Sequence, residues 1–189
     1  QILADFINEN SFEKEAINIL KELIKTQEKS SEIYELLGNI YRYHEKFDLA
    51  QEAYSEAIYL HQNSEFDNNN LWLLYFFRGI ALEQLKNYEK SKQDLRKSLA
   101  IKPDQPQVLN YLGYMLIEQK ENLDEALRMI RKAVKISPQS GYIIDSLAWG
   151  LYQLGRYSEA IEPVSYTHLT LQTNCVVGGG GVGGGGGVE

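Results

Sequence analysis

Few residues of this chain have the type and spacing that catalysis needs. There are three histidines, His44, His61 and His168, and one cysteine, Cys175. His44 falls at the end of an apolar-periodic stretch, where an imidazole faces solvent or the negative end of a helix dipole. No Cys/His cluster has metal-ligand spacing. No glycine-rich loop leads into the Lys-Ser or Lys-Thr pair that cradles phosphate. Glu121, Asp124 and Glu125 crowd a turn and the helix start after it, where the dipole favours acids. A single cysteine closes no disulfide within the chain and leaves the redox compartment open. The residues exclude an enzyme with its own active site, a metal centre or a cofactor, and leave binding as the chemistry to look for.

The elements that would position a binding surface follow from a recurring spacing. A small residue after a large one marks each copy: Leu37-Gly38, then Gly79, Leu112-Gly113 and Leu147-Ala148, with Leu3-Ala4 a weaker first. The steps between these anchors are 34, 41, 34 and 35 residues. Another small residue follows each anchor by 12 or 13 positions (Ala16, Ala50, Ser91, Ala126, Ala160), and a bulky one comes four later (Leu20, Tyr54, Leu95, Ile130, Val164). Ala57, Ser98 and Ala133 add a third small position, and Pro103 and Pro138 close two copies. Helices cross closely only where small side chains meet, and ridge packing then fixes the angle. A helix pair cannot bury its apolar stripe alone, so pairs stack.

Read in order, residues 2–9 are the remnant of a helix, Asn10-Ser11 a turn, and Phe12 to about Thr26 an amphipathic helix with Ala16, Ile17, Leu20, Leu23 and Ile24 on its apolar face. Ser30 or Ser31 caps the next helix. Residues 61–70, HQNSEFDNNN, are a polar loop that accounts for the 41-residue step. The 35-residue step places one extra residue in a turn near Glu121-Asn122. Further pairs span 71–85 with 88–100, 108–119 with 123–136, and 142–154 with 157 onward.

These marks resemble the tetratricopeptide repeat (TPR) family, over residues 1 to about 163: the Leu-Gly pair, the aromatic or Leu three residues on (Tyr41, Leu82, Leu116, Leu151), the Ala, the bulky residue, the second Ala and the Pro. Arg78 departs from the pattern, standing where Leu precedes Gly, as do Gln62 for Pro and Leu23 for the second Ala. The resemblance implies an all-α fold, a right-handed α-solenoid of helix-turn-helix pairs, with repeats at about 1–30, 31–71, 72–105, 106–140 and 141–163. The stretch from Asn110 to Pro163 further resembles large TPR proteins of Gram-negative, particularly alpha-proteobacterial, cells.

In that family the first helix of each pair lines a concave groove. The groove positions fall on Asn39, Arg42 and Tyr43 in the second repeat, Phe76 and Ile80 in the third, Asn110, Tyr114 and Ile117 in the fourth, and Tyr142, Asp145, Trp149 and Tyr152 in the last. Rings cover apolar side chains and amides bond a backbone, so the set suits a peptide or partner helix. The chaperone-binding members hold a carboxylate in a clamp of Lys, Arg and Asn; here the matching positions include Glu35, Phe77 and Gln107, and only Asn39 agrees, so that clamp is not expected.

Composition bounds the partner. With 189 residues and 43% hydrophobic content the chain can build a sizeable core. A formal charge of −7 argues against nucleic acid, which calls for a basic face. No run approaches the ~18 apolar residues of a membrane span. The first ten residues carry no signal-peptide pattern and already sit inside a repeat, so further sequence is expected upstream and the compartment stays open. Residues 164–189 have nine glycines and one charge; VSYTHLTLQT resembles translated sequencing-adaptor read-through, and the segment is expected to be a non-native or unstructured tail. The expected function is a protein-binding scaffold or adaptor; an alternative is the recruiting arm of a larger enzyme, and self-association through open repeat ends is a further expectation.

Overall fold

The computed structural model describes residues 2–26, 30–63 and 70–160, with the backbone alone over 2–11 and at 26. The loop between 63 and 70, the tail with His168 and Cys175, and Val164 lie outside the described residues. Among the described residues eight complete helices follow one another: α1 (Ile2–Thr26), α2 (Ser31–Tyr43), α3 (Phe47–Gln62), α4 (Leu71–Gln84), α5 (Tyr88–Ile101), α6 (Pro106–Glu118), α7 (Leu123–Ile136) and α8 (Gly141–Gln153). Residues 157–160 are again helical. The helices fall into two compact units, one up to Pro103 with α1–α5 and one from Asp104 with α6–α8. Within the first, α2 pairs with α3 and α4 with α5, α3 packs on α4, and α1 leans on α2; within the second, α6 pairs with α7, and α8 packs on both.

Each pairing is built at the anchors. A methyl group added to Gly38 would lie 2.7 Å from the Tyr54 ring. At Gly113 it would meet Ile130 Cγ1 at 2.7 Å and the Ala126 carbonyl oxygen at 2.9 Å, and at Gly79 the Leu95 side chain at 3.1 Å. Tyr54, Leu95 and Ile130 are the bulky residues of the spacing pattern, and all three are fully buried. The absent Cβ lets them cross directly over the facing backbone, the close approach for which glycine is suited. In the third copy serine replaces alanine, and each hydroxyl finds a carbonyl on α4: Ser91 Oγ donates to Gly79 O at 2.7 Å and Ser98 Oγ to Trp72 O at 2.7 Å. A buried hydroxyl so satisfied costs little.

The hairpin turns share one geometry. The residue seven after each anchor, Glu45, Lys86, Lys120 and Gly155, has φ of 57°, 60°, 56° and 72°. The amide of the residue after it returns to the carbonyl three after the anchor: Lys46 to Tyr41 (2.8 Å), Asn87 to Leu82 (2.8 Å), Glu121 to Leu116 (2.9 Å) and Arg156 to Leu151 (2.9 Å). The left-handed residue's own N–H bonds Arg42, Glu83, Ile117 and Tyr152 O in turn. This is the Schellman ending of a helix, repeated four times. The next helix starts nine residues after the anchor, except α7, which starts ten after it; the extra residue is Asn122, itself left-handed with φ 44°.

The first copy breaks the rule. Asn10-Ser11 is not a turn: α1 runs unbroken through it for 25 residues. Ser11 occupies the position seven after Ala4, yet the backbone there stays helical. Neither residue blocks a helix as proline does, and both cost only a fraction of a kcal/mol within one. Glu13 then fastens α1 to the turn after α2, its buried carboxylate 2.5 Å from Lys46 Nζ and 3.5 Å from His44 Nδ1. The Lys46 hydrogen bond, with the charges of His44 and the lysines, holds this carboxyl below its usual range against the opposing effect of burial. His44, at the helix end as expected, thus sits beside an acid.

Candidate functional site

The predicted groove residues separate into two sets. In the first unit, Asn39 and Arg42 are engaged with α3 and α4. The Tyr54 hydroxyl donates to Asn39 Oδ1 at 2.8 Å and accepts from Arg42 Nε at 3.2 Å. Arg42 also lies over the Phe77 ring, 4.4 Å from its centroid. Phe76 and Ile80 are half-buried, Phe76 with its ring 5.6 Å from that of Phe77. Tyr43 alone stands out, 80% exposed. Asn39, the one residue matching the carboxylate clamp, therefore already serves Tyr54. Arg78, the departure from the repeat pattern, is explained here: it grips Asp94 of α5 with two bonds of 2.6 and 2.9 Å and reaches Ser55 Oγ at 3.1 Å.

In the second unit the predicted residues divide again. Ile117 is 1% exposed and belongs to the core, not to an open face. The cause is Gly150 on α8: its missing side chain admits Ile117 Cδ1, which lies 2.6 Å from where a Cβ would be. Asn110 is 7% exposed, also a core position, and its Oδ1 has no hydrogen-bond partner among the described residues. The other five, Tyr114, Tyr142, Asp145, Trp149 and Tyr152, are exposed.

Those five include one ordered aromatic group. Trp149 and Tyr152, one helical turn apart on α8, stack with centroids 5.8 Å apart and planes 17° off parallel. Tyr157 packs on Tyr152 at 5.3 Å. Across from α8, Glu118 at the end of α6 accepts the Trp149 Nε1–H at 2.6 Å. It also adjoins Tyr114, whose phenol is pushed up by burial first and by the Glu118 carboxylate second. Glu118 was missed from the sequence because it reads there as an ordinary solvated last-turn acid; its place five residues after Gly113, facing a tryptophan one position after the next anchor, was the available signal. Asp145 precedes Trp149 by four residues along α8 and Tyr142 precedes Asp145 by three, so both share its helical face.

Among the described residues no group of three His, Cys, Asp or Glu converges as metal ligands, and no helix is long and apolar enough to cross a membrane. What the arrangement presents is rigid ring area edged with carboxylates, in a protein made of paired, stacked helices: the design of a helical-repeat interaction scaffold.

Comparison with known proteins agrees. The tetratricopeptide repeat family profile matches residues 31–63, 74–105 and 107–140, just over half of the chain. The chain belongs to the tetratricopeptide repeat family and is a protein–protein interaction module of that class. Among solved structures it is similar to MamA, with a TM-score of 0.76 at 17% identity over 90% of this chain and 95% of that one. MamA from Desulfovibrio magneticus RS-1 gives 0.75 at 16% identity, over 90% and 92%. BtubC (BKLC) from P. vanneervenii gives 0.77 at 16% identity, over 100% and 83%. At these identities the likeness is one of fold. No curated protein matches the chain by sequence.

Proposed function

We propose that the chain binds an extended peptide or a helix of a partner protein on the face formed by α6 and α8, with Tyr114, Trp149 and Tyr152 as the contact residues and Tyr142 and Asp145 beside them. The observation that carries this is the stacked, exposed Trp149–Tyr152 pair fixed by Glu118. Interface hot spots are enriched in Trp and Tyr, and rings held in place before binding lose little freedom on contact. In the first unit the equivalent polar residues, Asn39 and Arg42, are already bonded to Tyr54, which supports a lesser part for that repeat. The acidic balance supports a protein rather than a nucleic-acid partner.

The test pairs Trp149→Ala/Tyr114→Ala with Asn39→Ala/Tyr43→Ala. A partner captured on the immobilised chain, identified and titrated, is expected to bind the first variant more than tenfold more weakly, since truncating one hot-spot ring costs ~2 kcal/mol or more. The second variant is expected to keep its affinity, and circular dichroism is expected to stay helical for both. A folded first variant with full affinity moves recognition elsewhere on the chain.

A further inference from the structure

Helices α6 and α8 carry one acid each, Glu118 and Asp145, and neither carries a lysine or arginine. The cations of the second unit are elsewhere. Arg128, Arg131, Lys132 and Lys135 are all on α7. Arg131 and Arg156 pair with Glu159, at 3.1 and 2.6 Å, and Lys132 pairs with Asp104 at 2.7 Å. Lys120, the cation nearest Glu118 in sequence, makes no ion pair with it. Among the described residues no basic side chain bonds either Glu118 or Asp145. The ring-bearing face is therefore anionic without an internal counter-ion, while α7 is cationic.

We propose that the partner segment seated on this face is basic: a Lys or Arg side chain lies on the Trp149–Tyr152 stack, with Glu118 and Asp145 as its counter-charges. This rests on the reading that α6 and α8 form the binding face. Three features converge on that chemistry. An indole face is the best aromatic partner for a cation, and Trp149 and Tyr152 are 39% and 55% exposed. Glu118 gives one oxygen to the Trp149 N–H, and a carboxylate has further acceptor sites for a guanidinium or ammonium. Asp145 precedes Trp149 by four residues, so one helical turn places a second carboxylate next to the same ring. An acidic segment would meet two like charges with nothing to offset them.

The experiment uses the full chain with Trp72→Phe, so that Trp149 alone reports by fluorescence. The probes are three end-blocked peptides of equal length: alternating Leu-Arg, Leu-Gln and Leu-Glu. The Leu-Arg peptide is expected to shift Trp149 emission and to bind at least tenfold more tightly than the Leu-Glu peptide. Its affinity is expected to fall tenfold or more in Glu118→Gln/Asp145→Asn, in which Gln still accepts the indole N–H. It is also expected to fall between about 0.1 and 1 M salt, as the Debye length shrinks from about 10 to about 3 Å. If Leu-Gln or Leu-Glu binds as tightly as Leu-Arg, or the double variant keeps full affinity, the basic-ligand inference is overturned while the binding face stands. If no peptide moves Trp149 emission in a protein that remains helical, the face is not a peptide site and both readings fall.

Discussion

Gly113 lies beneath Ile130 so closely that a single methyl group on it would overlap Ile130 Cγ1 at 2.7 Å and the Ala126 carbonyl oxygen at 2.9 Å. The second contact decides the outcome, because a backbone oxygen inside a helix cannot turn aside as a side-chain end can. At Gly79 the added methyl would meet only the Leu95 side chain, at 3.1 and 3.2 Å, with backbone no nearer than 3.5 Å. Replacing glycine by alanine within a helix gains about 1 kcal/mol of propensity, which offsets a mild clash but not overpacking of ~1–3 kcal/mol. Gly113→Ala is therefore expected to destabilise the chain and Gly79→Ala to be close to neutral. Urea unfolding of the two variants checks this, and a larger loss at Gly79 would mean the crossing of α6 and α7 is looser than described.

The Arg78–Asp94 pair replaces an apolar contact of the repeat pattern with a bidentate ion pair, its side chains 18% and 4% exposed. Removing one partner leaves the other's charge in a poorly solvated place, whereas replacing both by apolar groups removes the desolvation cost as well. Asp94→Ala is expected to lose about 3 kcal/mol. The double change Arg78→Leu/Asp94→Met, which takes the leucine of the pattern and the residue found at the equivalent Met129, is expected to recover most of it. Thermal melts of the single and double variants give the comparison; a double variant no better than the single one would show that Arg78 matters for its bond to Ser55 instead.

What was legible in the sequence was the part governed by volume. Gly38, Gly79 and Gly113 with Tyr54, Leu95 and Ile130 are size complements, and their spacing alone places the helix crossings. The extra residue of the fourth pair was legible for the same reason and falls at Asn122. The missed features depend on backbone conformation or on a second helix. Ser11 stands where Glu45, Lys86, Lys120 and Gly155 turn left-handed, and residue type does not separate it from the first three, since glutamate and lysine are no better suited to that conformation than serine. Ile117 is at a groove position by repeat register, but Gly150 on the next helix draws it inward. Glu118 became a site residue only once Trp149 was seen to donate to it.

The left-handed turns supply a backbone test free of packing. A side chain at Gly155 would meet nothing within 4 Å, so Gly155→Ala changes the cost of φ 72° and little else. The left-handed region costs a non-glycine residue roughly 1–2 kcal/mol, offset in part by glycine's greater unfolded-state freedom of roughly 0.5–1 kcal/mol. Gly155→Ala is expected to destabilise the chain by ~0.5–1 kcal/mol. Lys86→Gly and Lys120→Gly, at φ 60° and 56°, are expected to stabilise it by a similar amount. Equilibrium denaturation resolves the sign, and a destabilised Lys86→Gly would show that the lysine stem contributes contacts that outweigh its backbone strain.

Tyr54 makes stability depend on alkaline pH. Its ring is fully buried beneath Gly38, and burial pushes its phenol from 10 up to about 12, against the smaller opposing influence of Arg42. The folded state thus holds the proton more tightly than the unfolded chain does. The associated stability is complete below pH 10, declines as the unfolded phenol ionises, and is gone once pH passes about 12. Two units correspond to about 2–3 kcal/mol. Tyr54→Phe removes this dependence together with the bonds to Asn39 and Arg42. At neutral pH the variant is expected to be less stable by about 1–2 kcal/mol, because partly buried partners are left unpaired. Between pH 10 and 12 its stability is expected to fall less steeply than that of the parent chain, so the two curves converge as pH rises. The other tyrosines are common to both proteins and cancel in the difference, which denaturant midpoints at a series of pH values measure. Parallel curves across that range would place the Tyr54 hydroxyl in contact with solvent and remove its bond to Asn39 as a determinant of the first unit.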